Sequence, residues 1–358
     1  MRLLLFNLMT DESDPVLGFA CNWIRRLAAE CESIDVLTMQ RGVYDLPANA
    51  RVYSAGRERG YSKPRRLWEF YRHLLRLLAT RRYDACFAHM TPLFAGLAGP
   101  LLTARGIRTL LWYTHRQRSA QLRLGSAMSW RVVSADASSF PYSMEKLRVT
   151  GHGIDTEFHS LPPSGAHKEG GRTPLLVVQV GRLAPIKHQA TVIAAVAGTE
   201  ARLALIGGAQ NDNALAYQRD LQALAQRLNI TERCIFTGDL PPADVRAWHQ
   251  RATVAVNMSP VGLFDKAALE SMACGLPTVV CNPAFKPLLG AEADLLLTTG
   301  PEDVAGLRDR LERLCKLPAA ERIAIGARLR ESVEREHSLD GLTTKLLAVL
   351  RTGELPAR

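Results

Sequence analysis

The 358-residue chain lacks paired cysteines, membrane-length apolar runs and the short fingerprints of several large enzyme classes. Its seven cysteines (Cys21, Cys31, Cys86, Cys234, Cys274, Cys281, Cys315) form no CxxC pair. An odd, scattered set fits neither a disulfide framework nor a zinc ribbon, and points to a reducing cytosol. No stretch reaches the ~18–20 apolar residues that a bilayer-crossing helix needs. The opening MRLLLFNLMTDESD turns acidic too soon for a secretory signal and reads as a first buried strand. There is no HExxH for zinc, no GxGxxG after the first strand for a dinucleotide, and no GxSxG for a serine hydrolase. With 47% hydrophobic and 22% charged residues, long disorder is excluded and a sizeable core can be buried. The length predicts two domains.

Charge is unevenly placed. The net charge is +10, and residues 1–150 hold 22 basic and 12 acidic side chains, so the second half is balanced. The densest basic run is Arg57–Arg82, RERGYSKPRRLWEFYRHLLRLLATRR. From Pro64 onward, Leu67, Phe70, Tyr71, Leu74, Leu75 and Leu78 recur at helical spacing with arginines between them. Two readings stand: a surface helix with a solvated basic face, or a face for anionic lipid head groups or an anionic acceptor. No nucleic-acid recognition motif accompanies the charge.

Strand-like and helix-like segments alternate along the chain. The first half predicts strands at Leu3–Leu8, Ile34–Met39, Asp84–His89, Thr109–Thr114 and Arg131–Ala135. Its helices are expected at Val16–Cys31, Pro64–Arg81, Leu93–Ala104 and Gln117–Met128. The second half predicts strands in LLVVQVG, ARLALIG, CIFTG, TVAVNMS and PTVVC. Helices are expected at Lys187–Val196, Ala214–Leu228, Ala243–Arg251, Asp265–Ala273 and Leu339–Arg351. This alternation means βαβ units and parallel sheets. The boundaries expected are a first domain over 1–162, a linker over 163–173 rich in Pro and Gly, a second domain over 174–337, and a last helical segment, 338–358, crossing back to the first domain. Two doubly wound sheets would place a ligand cleft at the carboxyl ends of their strands.

Two segments carry chemistry. In VVQVGRLAPIKHQATVIAA, Gly181 and Arg182 end a strand and Lys187 begins a helix. Both cations can converge on an oxyanion at a helix N-terminus. In SPVGLFDKAALESMACGLPTVV, Gly262 gives a flexible loop, and backbone N–H groups around Phe264–Lys266 could hold a phosphate. Glu270 follows about 9 Å further along the helix, roughly the step from a diphosphate to its ribose hydroxyls. Either segment alone also reads as an ordinary βα turn with a solvated Glu270.

In this order, the two segments resemble family 4 of the retaining GT-B glycosyltransferases, which use nucleotide sugars. GRLAPIKH is similar to the family's GRL…KG phosphate loop, and ALESMACGLPTVV to its LEAMACGLPVV. ARLALIGGA, IFTGDLPPADVRAW and VTGHGIDTEFH resemble further family segments, so the resemblance spans nearly the whole chain. It implies two Rossmann-like domains facing an interdomain cleft. The implied reaction moves a sugar from a nucleotide diphosphate sugar to an acceptor hydroxyl with retention, in bacterial polysaccharide, lipopolysaccharide or glycolipid assembly. It places the protein in the cytoplasm or on the inner face of the membrane. The implied partners are the nucleotide sugar and a glycan or lipid-linked acceptor, with no nucleic acid and no cofactor.

The resemblance assigns catalytic roles to His115, Arg182 and Lys187: the two cations would neutralise the leaving diphosphate, and His115 in TLLWYTHR would sit beside the transferred sugar. A satisfied strand-end histidine is the alternative for His115. Gly18, Gly181, Gly262, Leu263, Phe264, Asp265, Lys266 and Glu270 would bind the donor, with Glu270 on the ribose. His89 in AHMTP is an acceptor-side candidate. No metal site is expected, and there is no DxD motif of the kind metal-dependent GT-A enzymes use. One departure stands out: the family often has Glu-x7-Glu, and the first of those positions is Gly262. Asp265 or Lys266 would then take over some of the sugar contact. Two rival readings are a nucleotide-sugar 2-epimerase of the same architecture and a non-catalytic nucleotide-sugar binder.

Overall fold

The computed structural model describes residues 1–14, 17–162 and 175–356, which group into two compact units. The first unit comprises Met1–Gly153 with Leu339–Arg358, and the second Ile154–Ser338.

The first unit is a seven-stranded sheet, parallel throughout, with helices between its strands. The elements run β1 (Arg2–Thr10), α1 (Phe19–Ala29), β2 (Ser33–Arg41), β3 (Ala50–Ser54), α2 (Lys63–Thr80), β4 (Ala85–His89) and α3 (Pro92–Ala104). They continue with β5 (Arg108–Trp112), α4 (Ala120–Met128), β6 (Arg131–Ser134) and β7 (Leu147–Val149). Spatial order is β3-β2-β1-β4-β5-β6-β7. Leu3, Leu4, Leu5 and Phe6 are all buried. A strand covered on both faces reads as an unbroken apolar run rather than an alternation, which is why β1 was legible from sequence. The edge strands β3 and β7 were not expected; both are short and mix polar with apolar residues. In α3, Gly96 and Gly99 face Leu124 and Met128 of α4, so the absence of a Cβ is what lets the two helices approach.

The second unit holds β8 (Leu176–Val180), α5 (Gln189–Ala197), β9 (Arg202–Ile206), α6 (Asp212–Arg227), β10 (Cys234–Phe236), α7 (Pro242–Arg251), β11 (Val254–Asn257), α8 (Lys266–Ala273) and β12 (Thr278–Val280). Its five parallel strands lie in the order β10-β9-β8-β11-β12. Two one-turn helices, α9 (Lys286–Leu289) and α10 (Ala293–Leu296), precede α11 (Val304–Lys316) and α12 (Ala319–His337). The final helix α13 (Leu339–Thr352) packs on α1, β4 and β5 of the first unit.

The units change over at Gly153, earlier than the residue 162 that composition suggested. The cause is a set of hydrogen bonds that fasten 154–159 to α12. The Ile154 N–H donates to the His337 carbonyl (2.8 Å), and Arg330 donates to the carbonyls of His159 (2.7 Å) and Thr156 (3.1 Å). The expected linker, 163–173, lies outside the described residues.

Of the buried histidines, His89 in the first unit and His249 in the second are the least exposed. Burial lowers the imidazole of His89 to about 3 and that of His249 to about 4. A depressed folded value gives stability that is full above the unfolded value near ~6.5 and is lost as pH falls toward the folded one. The urea midpoint should therefore drop between pH 7 and pH 5, and His89→Phe should flatten the share of that drop belonging to the first unit. A second expectation concerns Gly326 on α12. A Cβ there would overlap the Gly275 carbonyl, so Gly326→Ala should destabilise the second unit by ~1–3 kcal/mol in urea denaturation.

Candidate functional site

In an open parallel sheet, ligands gather where the strand order reverses, at the carboxyl ends of the two strands flanking the reversal. In the second unit those strands are β8 and β11. The loop after β8 is GRLAPIKH and the loop after β11 is SPVGLFD, so the topology places both sequence motifs side by side.

The first loop is held from beneath. Gln179 donates its amide to the Lys187 carbonyl (2.7 Å), and Gln189 donates to the Arg182 carbonyl (3.0 Å). Gly207 is forced to be glycine by its neighbour, since a Cβ would strike the Gly181 carbonyl at a φ of +139°. Lys187 does not begin a helix as expected. It ends a 3-10 turn, Pro185–Lys187, and α5 starts at Gln189 after His188 adopts a φ of +51°. Arg182 is exposed, and its guanidinium has no hydrogen-bond or ion-pair partner among the described residues.

Lys187 is committed. Its ammonium forms an ion pair with Asp265 and donates to Ser259 Oγ (3.2 Å), joining the two loops. Asp265 is the N-cap of α8, accepting the Ala267 N–H at 3.2 Å, so the helix begins at Lys266, one residue later than expected. Its other oxygen accepts from Ser259 Oγ (2.7 Å) and Asn257 Nδ2 (2.9 Å). Burial alone would raise the Asp265 carboxyl. Lys187, Asn257 and Ser259 outweigh it and hold that carboxyl below its ordinary range. Asp265 is therefore saturated by its own neighbours, and the contact with a donor sugar expected of it is not available in this arrangement. Sequence reasoning missed Asn257 and Ser259; the polar ending of an otherwise apolar strand, VAVNMS, was the available signal.

Gly262 takes a φ of +90°, in the left-handed region. Asn282 donates to the carbonyls of Pro260 (3.3 Å) and Leu263 (3.1 Å), fixing the turn around it. Phe264 points inward, buried between Phe285 (centroids 4.4 Å apart) and His337 (5.3 Å), so its side chain builds core rather than a ligand contact. Leu263 is half-buried beside it.

Glu270 lies one turn along α8 from Lys266, which donates to its Oε1 at 2.7 Å. His159 Nε2 faces the same oxygen at 3.5 Å. Burial would raise this carboxyl too, but Lys266 and His159 hold it far below the usual glutamate range. Lys266 is thus a partner of Glu270. His159 was not foreseen, although it sits in the quoted GHGIDTEFH. Behind it, Cys274, His159 and His249 stand within 4.8 Å of one another, and burial pushes the Cys274 thiol up to about 12.

In the first unit the strand order reverses between β1 and β4. A cavity of about 380 Å³ opens there, lined by Leu8, Met39, Met90, Phe94, Tyr113 and His115 among others. His115 is exposed on the loop after β5, and its Nδ1 accepts the Gln117 N–H at 2.9 Å. The neutral ring then carries its proton on Nε2, as a donor. His89 is elsewhere. It is only 4% exposed, packed against Trp23 (4.7 Å) and Phe19 (5.7 Å), with Nδ1 3.3 Å from Asn7 Oδ1. That enclosure removes it from the surface an acceptor contact requires. Gly18 caps α1 in a crowded turn, where a Cβ would meet the Asp14 carbonyl at 2.6 Å. The structure thus gathers Gly181, Arg182, Lys187, Gly262, Asp265, Lys266 and Glu270 on the second unit, and Gly18, His89 and His115 on the first.

Comparison with known proteins gives these residues a context. Residues 174–316 match the family model described as Glycosyl transferases group 1. Over 150 residues, 38% of this chain, the sequence is 29% identical to the D-inositol 3-phosphate glycosyltransferase of Acidothermus cellulolyticus, and it covers 33% of that protein, so the chain spans only a third of this relative's length. The sucrose-phosphate synthase of Thermosynechococcus elongatus has the same fold, with a TM-score of 0.78 at 19% identity over 97% of this chain and 98% of its own. Anabaena HepE, solved in complex with UDP, superposes with a TM-score of 0.78 at 16% identity, over 98% of this chain and 100% of its own. The two parallel-sheet units are those of the GT-B fold, and residues 174–316 are similar to the glycosyl transferases group 1 family.

Proposed function

We propose that the protein transfers a glycosyl group from a nucleoside diphosphate sugar to an acceptor hydroxyl with retention of configuration, acting in bacterial polysaccharide, lipopolysaccharide or glycolipid assembly. The observation that carries this reading is the pair of cations, Arg182 and Lys187, at the strand-order reversal of a unit similar to the glycosyl transferases group 1 family. The leaving diphosphate gains negative charge as the anomeric C–O bond breaks, and positive groups aimed there lower the barrier more than they stabilise bound substrate. Arg182, without a side-chain partner among the described residues, is open to a planar two-oxygen contact. Glu270 would take the ribose hydroxyls: its Oε1 is already engaged by Lys266 and His159, and no hydrogen bond among the described residues occupies Oε2. His115, donating from Nε2, is suited to a sugar hydroxyl on the donor. In a front-face displacement the acceptor proton passes to the departing phosphate oxygen while the acceptor oxygen bonds to the anomeric carbon. The likeness to HepE, solved with UDP, supports a nucleotide sugar as donor.

The acceptor side falls to the first unit, whose 380 Å³ cavity is largely apolar. On α2, Leu67, Trp68 and Leu75 are 43%, 60% and 49% exposed. They lie among Arg65, Arg66, Arg72 and Arg76, a combination suited to reversible contact with an anionic membrane surface at the cytoplasmic face. Among the described residues no helix is long and apolar enough to cross a membrane.

The cleanest kinetic test is Arg182→Ala. Turnover should fall ~10²–10³-fold with the melting temperature unchanged, because the side chain has no structural partner. Lys187→Ala should also cut turnover, but it strands the buried Asp265 carboxylate and should destabilise the second unit as well. Near-wild-type turnover in Arg182→Ala would sink the diphosphate assignment. An epimerised nucleotide sugar formed without acceptor would replace transfer by epimerisation.

Membrane contact is checked by sedimentation. The protein should pellet with anionic liposomes at low salt and not with neutral ones. Binding should fade toward 1 M salt, where the Debye length is ~3 Å. Replacing Arg65, Arg66, Arg72 and Arg76 by Gln should remove most of it without unfolding the second unit.

A further inference from the structure

We infer that Asp265 sets the strength of the diphosphate site, by competing with the bound anion for the Lys187 ammonium. The inference rests on the reading of Lys187 as a diphosphate ligand. Lys187 has no idle charge: its ammonium is neutralised by Asp265 and further satisfied by Ser259. Asp265 cannot easily move aside. Its side chain is only 13% exposed, and both oxygens are engaged, one by the Ala267 N–H and the other by Asn257, Ser259 and Lys187.

An arriving diphosphate must therefore draw Lys187 away from a fixed carboxylate, and then lie beside that carboxylate as a like charge. Both effects weaken binding, and both act on donor and nucleoside diphosphate product alike. Arg182, without a side-chain partner among the described residues, supplies the first hold on the anion, and Lys187 follows only at the expense of its ion pair. A site built this way releases its anionic product readily, which matters because product release limits turnover in many enzymes. Asp265 is a positioning residue here: it acts through Lys187 and need not touch the ligand.

The test uses the full chain and titration calorimetry with inorganic pyrophosphate, UDP, GDP and ADP. Asp265→Asn keeps the shape, the helix cap and an acceptor oxygen while removing the charge. Asp265→Ser keeps a capping hydroxyl and serves if the amide disturbs Asn257. The expected result is that at least one of these diphosphates binds the wild type and binds a folded Asp265 variant about tenfold or more tighter, the smallest effect usual for a like charge at this range. A gain of affinity is not something lost packing produces. Equal or weaker binding to both folded variants overturns the inference while leaving Lys187 as a ligand. If none of the four diphosphates binds the wild type or either variant, the diphosphate reading itself fails, and this inference with it.

Discussion

The second unit is organised around a buried ion pair. Lys187 ends the loop after β8, Asp265 opens α8 after β11, and their contact clamps the two strand ends between which a ligand of such a sheet binds. Burying two charges costs several kcal/mol each before their attraction is counted, so such a pair persists only when further hydrogen bonds complete it. Ser259, Asn257 and the first turn of α8 supply those bonds. The clamp therefore couples three things that are usually separate: the cap of a helix, the closure of two loops, and the charge offered to an anion.

The glycine at 262 has a comparable double meaning. It stands at the position where the resemblance led one to expect a carboxylate, and its backbone is left-handed at a φ of +90°. A side chain there would cost ~1–2 kcal/mol in backbone strain alone. The loop is shaped for glycine, with Asn282 bridging two carbonyls across it. Glu270, by contrast, sits on a regular helix whose buried face includes Leu269, Met272 and Ala273, and its placement is secure.

The two units handle charge in opposite ways. The first concentrates the whole net excess of the chain, most densely along α2, yet lines its strand-end cavity with Leu8, two methionines, Phe94 and Tyr113. The second is close to neutral but puts its charges inside the site, as Lys187–Asp265 and Lys266–Glu270.

Periodicity and composition alone determined the alternating βα architecture, the long buried strands and the helix positions, because burial on both faces leaves continuous apolar runs and amphipathic helices leave a 3.6-residue stripe. The two motif segments, with Arg182, Lys187 and Glu270, stood out in the sequence only through their order and their resemblance to a known family, since either alone also reads as an ordinary βα turn. What only the tertiary structure decided is whom each side chain meets. Lys187 and Asp265 are 78 residues apart in sequence, and no local rule pairs them. His89 ends a strand in the same manner as a site histidine, yet α1 brings Phe19 and Trp23 over it and seals it in the core. The edge strands β3 and β7 carried too little apolar length to be read, and Leu67 and Leu75 kept helical spacing while facing outward. Spacing fixes which face of an element a residue occupies, but only the packing of distant elements settles what that face touches.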